Sequence, residues 1–353
     1  MGHGSHTLGG MGLADRLFKA IDGKSSKPFT PGSGPPMLAT PAPVFAPPLD
    51  ASGAQWVVPV LEVAYYPVDR RGNIDRAVTG DVGEPLDQIR SKVSAVSRQV
   101  HLALEAGSAH HHYKNPASQP CVRYETVQHL EIMEPIPTWN KPGHKVPMAD
   151  YNAIMHRIDI AAWVARGIKQ VWLWGYHGGV IDMWESNMAG PHGDISNSDR
   201  DPKDLPVLDR TYTVYHYNYG RGPSEAVEDH MHQIEALLRT LDHELFWDRF
   251  VGRTGGGRCG WAHFPPNGTR DYDWANTKPA ITDIEDWTPE GGPTSRMDSR
   301  RWNQDSLTWF IYWMQNLPGA NNGLTWKGKP ITNWWWFIAD LDDALANGKR
   351  LAG

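Results

Sequence analysis

Two rhythms of apolar and polar positions divide the chain. Trp56–Tyr66 (WVVPVLEVAYY) is a nearly unbroken apolar run, the pattern of a strand covered on both faces. Cys121–Met133, Lys169–His177 (KQVWLWGYH) and Thr211–Tyr219 also read as strands. Between them the spacing changes to three and four residues. Leu86, Ile89, Val93, Val96 and Val100 recur that way, which predicts a helix over Pro85–Ala106. Asp150–Arg166 reads as a helix stopped by Gly167, Ser224–Phe250 as the longest helix, and Asp305–Leu317 as a last apolar one. Asn333–Leu345 closes the chain with Trp334, Trp335 and Trp336 in tandem. Strands alternating with helices of this length predict an α/β fold: one large domain around a mostly parallel sheet with flanking helices.

The interruptions matter as much as the elements. Gly178–Asp209 is rich in Gly, Asn and Asp and reads as a loop. After Val251 about fifty residues lose all periodicity, yet they keep their aromatics, which argues against disorder and for a functional irregular region. At the N-terminus, Leu13, Leu17 and Ile21 align over one amphipathic stretch. Eight prolines then follow between Pro28 and Pro48. Residues 1–54 are therefore expected to form a flexible arm or tether, or an arm that docks on a second subunit of a homo-oligomer. Residues 55–353 are expected to form the globular α/β domain.

Composition narrows the function. With 34 Lys+Arg against 40 Asp+Glu the net charge is -6, which excludes the basic footprint of a general nucleic-acid binder. No window approaches 18 consecutive apolar residues, so no membrane-spanning helix is expected. Cys121 and Cys259 make no disulfide framework; they form one bridge or are two buried thiols. Met1–Gly12 lacks the apolar stretch of a secretory leader, although the tryptophan content leans toward an extracellular protein. Fifteen of the 17 tryptophans lie at or beyond Trp163. Some are plainly core, such as Trp172 with Trp174 on one strand face and Trp309 with Trp313 at helical spacing.

The candidate chemistry clusters in the second half. His177 ends one apolar strand ahead of a glycine pair and Trp184-Glu185, while His216 and Asn218 end the next. If those strands are neighbours, His177, Glu185, His216 and Asn218 converge at a catalytic rim. Arg221 sits between Gly220 and Gly222 at a helix start, where it suits an anion or is simply exposed. In the following helix Val227, Met231, Ile234, Leu238 and Leu241 form one stripe, and Glu225, Glu228, His232 and Glu235 a second. Glu228, His232 and Glu235 are spaced to share one metal ion, with His177 or His216 as a further ligand; the alternative is a solvated face. Asp194, Asp199 and Asp201 place oxygens at intervals that suit calcium or Asx turns equally. Cys259 near His263 lacks the signature of a thiol nucleophile, so His263 is assigned to the lining of a pocket. Asp273, Trp274, Asp286 and Trp287 interleave acids with aromatic planes, as a sugar-binding groove requires, and Trp184 and Trp261 join them. The run Ala109–His112 carries three histidines with no assigned mechanism.

Three readings follow. The first is a hydrolase acting on a glycan or polysaccharide, with Glu185, His177, His216 and Glu235 doing acid/base work in an aromatic-lined cleft. The second is a metal-dependent hydrolase of peptidase or amidase type, using a divalent ion such as zinc or calcium. The third is a carbohydrate-binding or self-assembling protein without catalysis. All three take a small-molecule or polysaccharide ligand.

Overall fold

Five strands build the central sheet, in the spatial order β2-β1-β5-β7-β6. They are β1 (Trp56–Tyr65), β2 (Val122–Ile132), β5 (Gln170–Gly175), β6 (Ser186–Ala189) and β7 (Tyr212–Asn218). A short hairpin of β3 (Thr138–Trp139) and β4 (Met148–Ala149) lies between β2 and β5 in sequence. All neighbours in the sheet are parallel except β6, which runs antiparallel along β7. In this computed structural model the described residues are 49–196, 204–252 and 258–353, all within the unit Phe45–Gly353. The Leu13–Ile21 stretch, the proline-rich segment, Asp199 and Asp201 lie outside them.

The α/β architecture inferred from the apolar rhythm is the one observed, and the strand order explains where a site can form. The connection from β1 to β2 leads to one edge of the sheet. The connection from β2 to β5 returns across β1, so the direction of winding reverses between β1 and β5. In such sheets ligands gather at the carboxyl ends of the strands. Here those ends are Tyr65–Tyr66, Gly175–His177 and Asn218–Arg221.

Helices cover both faces. A single turn, α1 (Arg76–Thr79), precedes α2 (Leu86–Gly107), which buries Ile89, Val93, Val96, Val100 and Leu104 as its spacing predicts. On the same face lies α5 (Pro223–Leu241), whose His230 stacks on Tyr215 of β7 at 3.7 Å. The opposite face carries α3 (Tyr151–Arg157) and α4 (Ile160–Ala165), where Tyr151 Oη meets His216 Nδ1 at 2.9 Å. Consecutive residues of a strand point to opposite faces. Tyr215 and Tyr217 therefore face α5, and His216 faces α3.

A third layer closes over α5. It contains α6 (Ser306–Met314), α7 (Trp335–Ala339), α8 (Leu341–Ala346) and the irregular segment before them. Phe246, Phe250, Trp287, Trp313 and Trp334 meet edge to face in this layer, with ring centroids 5.2–6.5 Å apart. Packing on two sides buries His232 and Glu235 of the second stripe of α5 and half-buries Glu225 and Glu228.

Three elements depart from the sequence reading. The expected Asp150–Arg166 helix breaks at Asp159, which takes a left-handed φ of 54°. The expected Ser224–Phe250 helix ends at Leu241, because Asp242 turns extended and its carboxylate caps the Leu245 N–H. The chain continues as a π-helix over Glu244–Val251, which sends Phe246 and Phe250 into the aromatic layer. Among the described residues the longest helix is accordingly α2, with 22 residues. Finally, Gly178–Asp209 is not all loop, since it contains the edge strand β6.

Candidate metal centre

The buried stripe of α5 presents a cluster of nitrogen and oxygen ligands to the irregular segment. Glu228 and His232 stand one helical turn apart, and His263 reaches them from the segment above. His263 Nε2 lies 2.9 Å from Glu228 Oε1, the two Nε2 atoms are 3.1 Å apart, and His232 Nε2 is 3.8 Å from Glu228 Oε1. A triangle with those sides has a circumradius of about 1.9 Å, just under the ~2.0–2.1 Å bonds that zinc makes to nitrogen and oxygen. One ion can therefore be reached by all three atoms.

The supporting contacts have the character of a ligand shell. His232 Nδ1 lies 3.3 Å from Glu235 Oε2, so a carboxylate orients the ring from behind and directs Nε2 into the cluster. The other oxygen of Glu235 accepts the Ala262 N–H at 2.7 Å. The next peptide is fixed too, since the Ala262 carbonyl accepts the indole N–H groups of Trp274 at 2.9 Å and Trp309 at 3.1 Å. Gly260 begins this turn with φ at +71°, and a Cβ there would overlap the Phe264 carbonyl oxygen. The turn, the two indoles and Glu235 together place His263 opposite α5.

The charges in the cluster are strongly coupled. Burial alone would raise the Glu228 carboxyl, but the imidazoles of His232 and His263 hold it down to about 2. Burial disfavours a His232 cation, yet Glu185, Glu228 and Glu235 lift this histidine well above its ordinary value. The site thus demands positive charge, which either a proton or a metal ion supplies. Asp229, the next residue along α5, is pushed well above the usual carboxylate range by burial and by Glu185 and Glu228. Glu185 is exposed at the edge of this group.

The structure sorts the sequence candidates. Glu228 and His232 are brought together with His263, which sequence reasoning had assigned to a pocket lining. Glu235 stands behind His232 instead of beside the ligand atoms. Glu185 is close enough to act on His232 and Asp229. Arg221 is exposed and acts on both His177 and Asp229. His177 is half-buried past the end of β5; burial and Arg221 lower it. His216 does not join them. It is fully buried on the α3 face, and burial depresses it to about 3, with His177 adding to the effect.

The residues expected to line a sugar-binding groove are each held in other contacts. Trp184 is buried and stacks on Tyr151 at 4.7 Å. Trp287 is buried with its indole N–H on the Arg249 carbonyl. Trp274 supports the Ala262 peptide, and Trp261 stacks on Phe264 at 4.6 Å. Asp273 ties Thr269 to Asn276, Asp286 pairs with Lys114 at 2.9 Å, and the Asn218 side chain caps the Gly220 N–H. Asp194 lies on the loop after β6, apart from the cluster given above. Both cysteines are free and buried, and burial raises each thiol, so neither is a nucleophile.

Sequence reasoning passed over two features. Asp229 lies off the Glu/His stripe, and only the packing of α5 on two sides buries it. Tyr272, with φ at +62°, is 56% exposed and packs its ring 4.3 Å from that of His263. No protein-family model matches the chain, and a search of curated proteins finds no match.

Proposed function

We propose that the chain is a metal-dependent hydrolase whose ion, of zinc type, is held by Glu228, His232 and His263. The observation that carries this reading is the ligand triangle with Glu235 behind His232: two nitrogens and one oxygen around a point of bonding size. A shell of two histidines and one carboxylate leaves positions open, which distinguishes a catalytic site from a closed structural one. When bound, such an ion supplies Lewis-acid polarisation of a substrate carbonyl and makes water more acidic.

The protein's own groups fill the remaining roles. Glu185, exposed beside the cluster, serves as general base for the attacking water and then returns the proton to the leaving amine or alcohol. Glu235 keeps the His232 ring in register throughout. Tyr272 screens the outer edge of His263 from solvent. The tryptophans expected to line a glycan cleft are held in packing contacts, and Asp273 and Asp286 in a turn and an ion pair, which favours the metal reading.

The test is hydrolysis of simple aryl ester and anilide probes by zinc-loaded protein. Activity is expected to vanish on chelation and to return with zinc. Glu185→Gln is expected to keep the bound ion and lower kcat by about 10²–10⁴-fold. Equal activity in chelated and loaded protein would overturn the reading.

A further inference from the structure

We infer, on the basis of the metal-hydrolase reading above, that the substrate carries a flat apolar group, an aromatic ring above all, beside the bond to be cleaved, and that Tyr272 receives it. Tyr272 holds a left-handed backbone, with φ at +62°. Glycine or asparagine would be ordinary there, whereas a large aromatic side chain is strained. Burial does not repay that strain, because 56% of the residue is exposed. Among the described residues it is the only exposed tyrosine, tryptophan or phenylalanine, and it is the one that packs on His263. A ring held in a strained turn and left in contact with solvent, beside a ligand of the proposed centre, points to a bound molecule as its partner.

The turn that carries Tyr272 is tied at several points. Asp273 Oδ2 accepts the N–H and the hydroxyl of Thr269 and the side-chain amide of Asn276, each at 2.9 Å. The Tyr272 N–H donates to the His263 carbonyl at 3.0 Å, and the Trp274 indole reaches the Ala262 carbonyl. The ring is thus fixed to the same stretch of chain that carries His263. Its centroid lies 4.3 Å from the imidazole and 5.2 Å from Trp274, which meets it edge to face. His263 offers Nε2 to the cluster, so the exposed phenol ring stands one imidazole away from the ligand atoms. A polar group bound at the cluster brings whatever is attached to it near that ring, where an aromatic group gains most by stacking or edge contact.

The test is calorimetric titration of full-length, zinc-loaded protein with two zinc-binding probes, acetohydroxamate and benzohydroxamate, which differ in the aryl group alone. Benzohydroxamate is expected to bind about tenfold more tightly, the scale of one aromatic contact. Tyr272→Gly removes the ring and suits the left-handed backbone. In that variant the difference is expected to fall below about threefold, with acetohydroxamate affinity unchanged and no loss of thermal stability. Tyr272→Phe is expected to keep the difference. No affinity for either probe would overturn the metal reading itself. Equal affinity for the two, a difference that survives in Tyr272→Gly, or an equal weakening of both probes in that variant would overturn the role of Tyr272 and leave the metal reading standing.

Discussion

His263 is the residue on which the proposed metal centre turns, because it brings a ligand atom from the irregular segment to the two on α5. Glu235 acts on the same chemistry from outside the ligand set. Its carboxylate spans His232 Nδ1 and the Ala262 N–H, at 3.3 and 2.7 Å, and so sets the orientation of both histidines. Glu235→Gln preserves size and removes the charge behind His232. It is expected to weaken zinc binding about 10–100-fold, as measured by competition with a chromogenic chelator, because outer partners orient metal-binding histidines. Unchanged affinity would show that Glu235 merely packs the helix. At this scale the sequence was partly legible: the spacing of Glu228, His232 and Glu235 marked the stripe. The division into two ligands and one supporting carboxylate was not, because it depends on which ring nitrogen faces inward.

Among the elements, α5 links the sheet to the site. His230 stacks on Tyr215 of β7 and meets the Tyr217 hydroxyl at 2.7 Å, while Glu228, His232 and Glu235 face the irregular segment. Leu238 is fully buried, and Leu238→Ala is expected to cost about 2–5 kcal/mol in urea unfolding. A loss under 1 kcal/mol would mean that the helix is loosely held. The turn at Gly260 gives a second check. Gly260→Ala meets both a left-handed φ and the Phe264 carbonyl, so it is expected to lower metal affinity as well as stability. The strands and α2 were legible because their apolar periods are long and regular. β6 was not, since Ser186–Ala189 has no β-branched residue and too few positions to show alternation. The breaks at Asp159 and Asp242 were missed for a different reason: acidic residues inside an apolar rhythm look like a solvated helix face until their backbone is seen.

Across the whole molecule, buried histidines tie stability to pH. Burial lowers His110 to about 4, and burial together with His110 lowers His111 to about 3. His216 is likewise near 3. All three start from an unfolded value of 6.5, so below that pH the unfolded chain binds more protons than the native one. Stability from these groups is complete above pH 6.5 and declines as pH falls toward their folded values, by about 1.4 kcal/mol per pH unit for each histidine. His129 and His232 work the other way, lifted by neighbouring carboxylates, but burial lowers His177 and His230 as well, so the depressed histidines outnumber the raised ones. The urea midpoint is therefore expected to fall between pH 7 and pH 5; a flat or rising midpoint would contradict the assignment. This behaviour was invisible in the sequence, where the three histidines of Ala109–His112 carry no assigned mechanism. In the fold His110 and His111 stack on one another at 3.9 Å and dock the loop after α2 against Gln315–Gly319.

The same holds for the tryptophans. Their concentration beyond Trp163 suggested a ligand groove, but the described structure commits most of them to the layer that closes over α5. Trp274 and Trp309 serve the site indirectly, by holding the peptide that carries His263. We propose that α5 and this layer together assemble a metal centre, and the zinc content of the protein decides it. Equilibrium dialysis followed by elemental analysis is expected to find one zinc ion per chain in the full-length protein and less than about a tenth of that in His263→Ala, since removing one of three ligands opens the shell. An equal zinc content in the two proteins, or none in the unaltered one, would contradict the account.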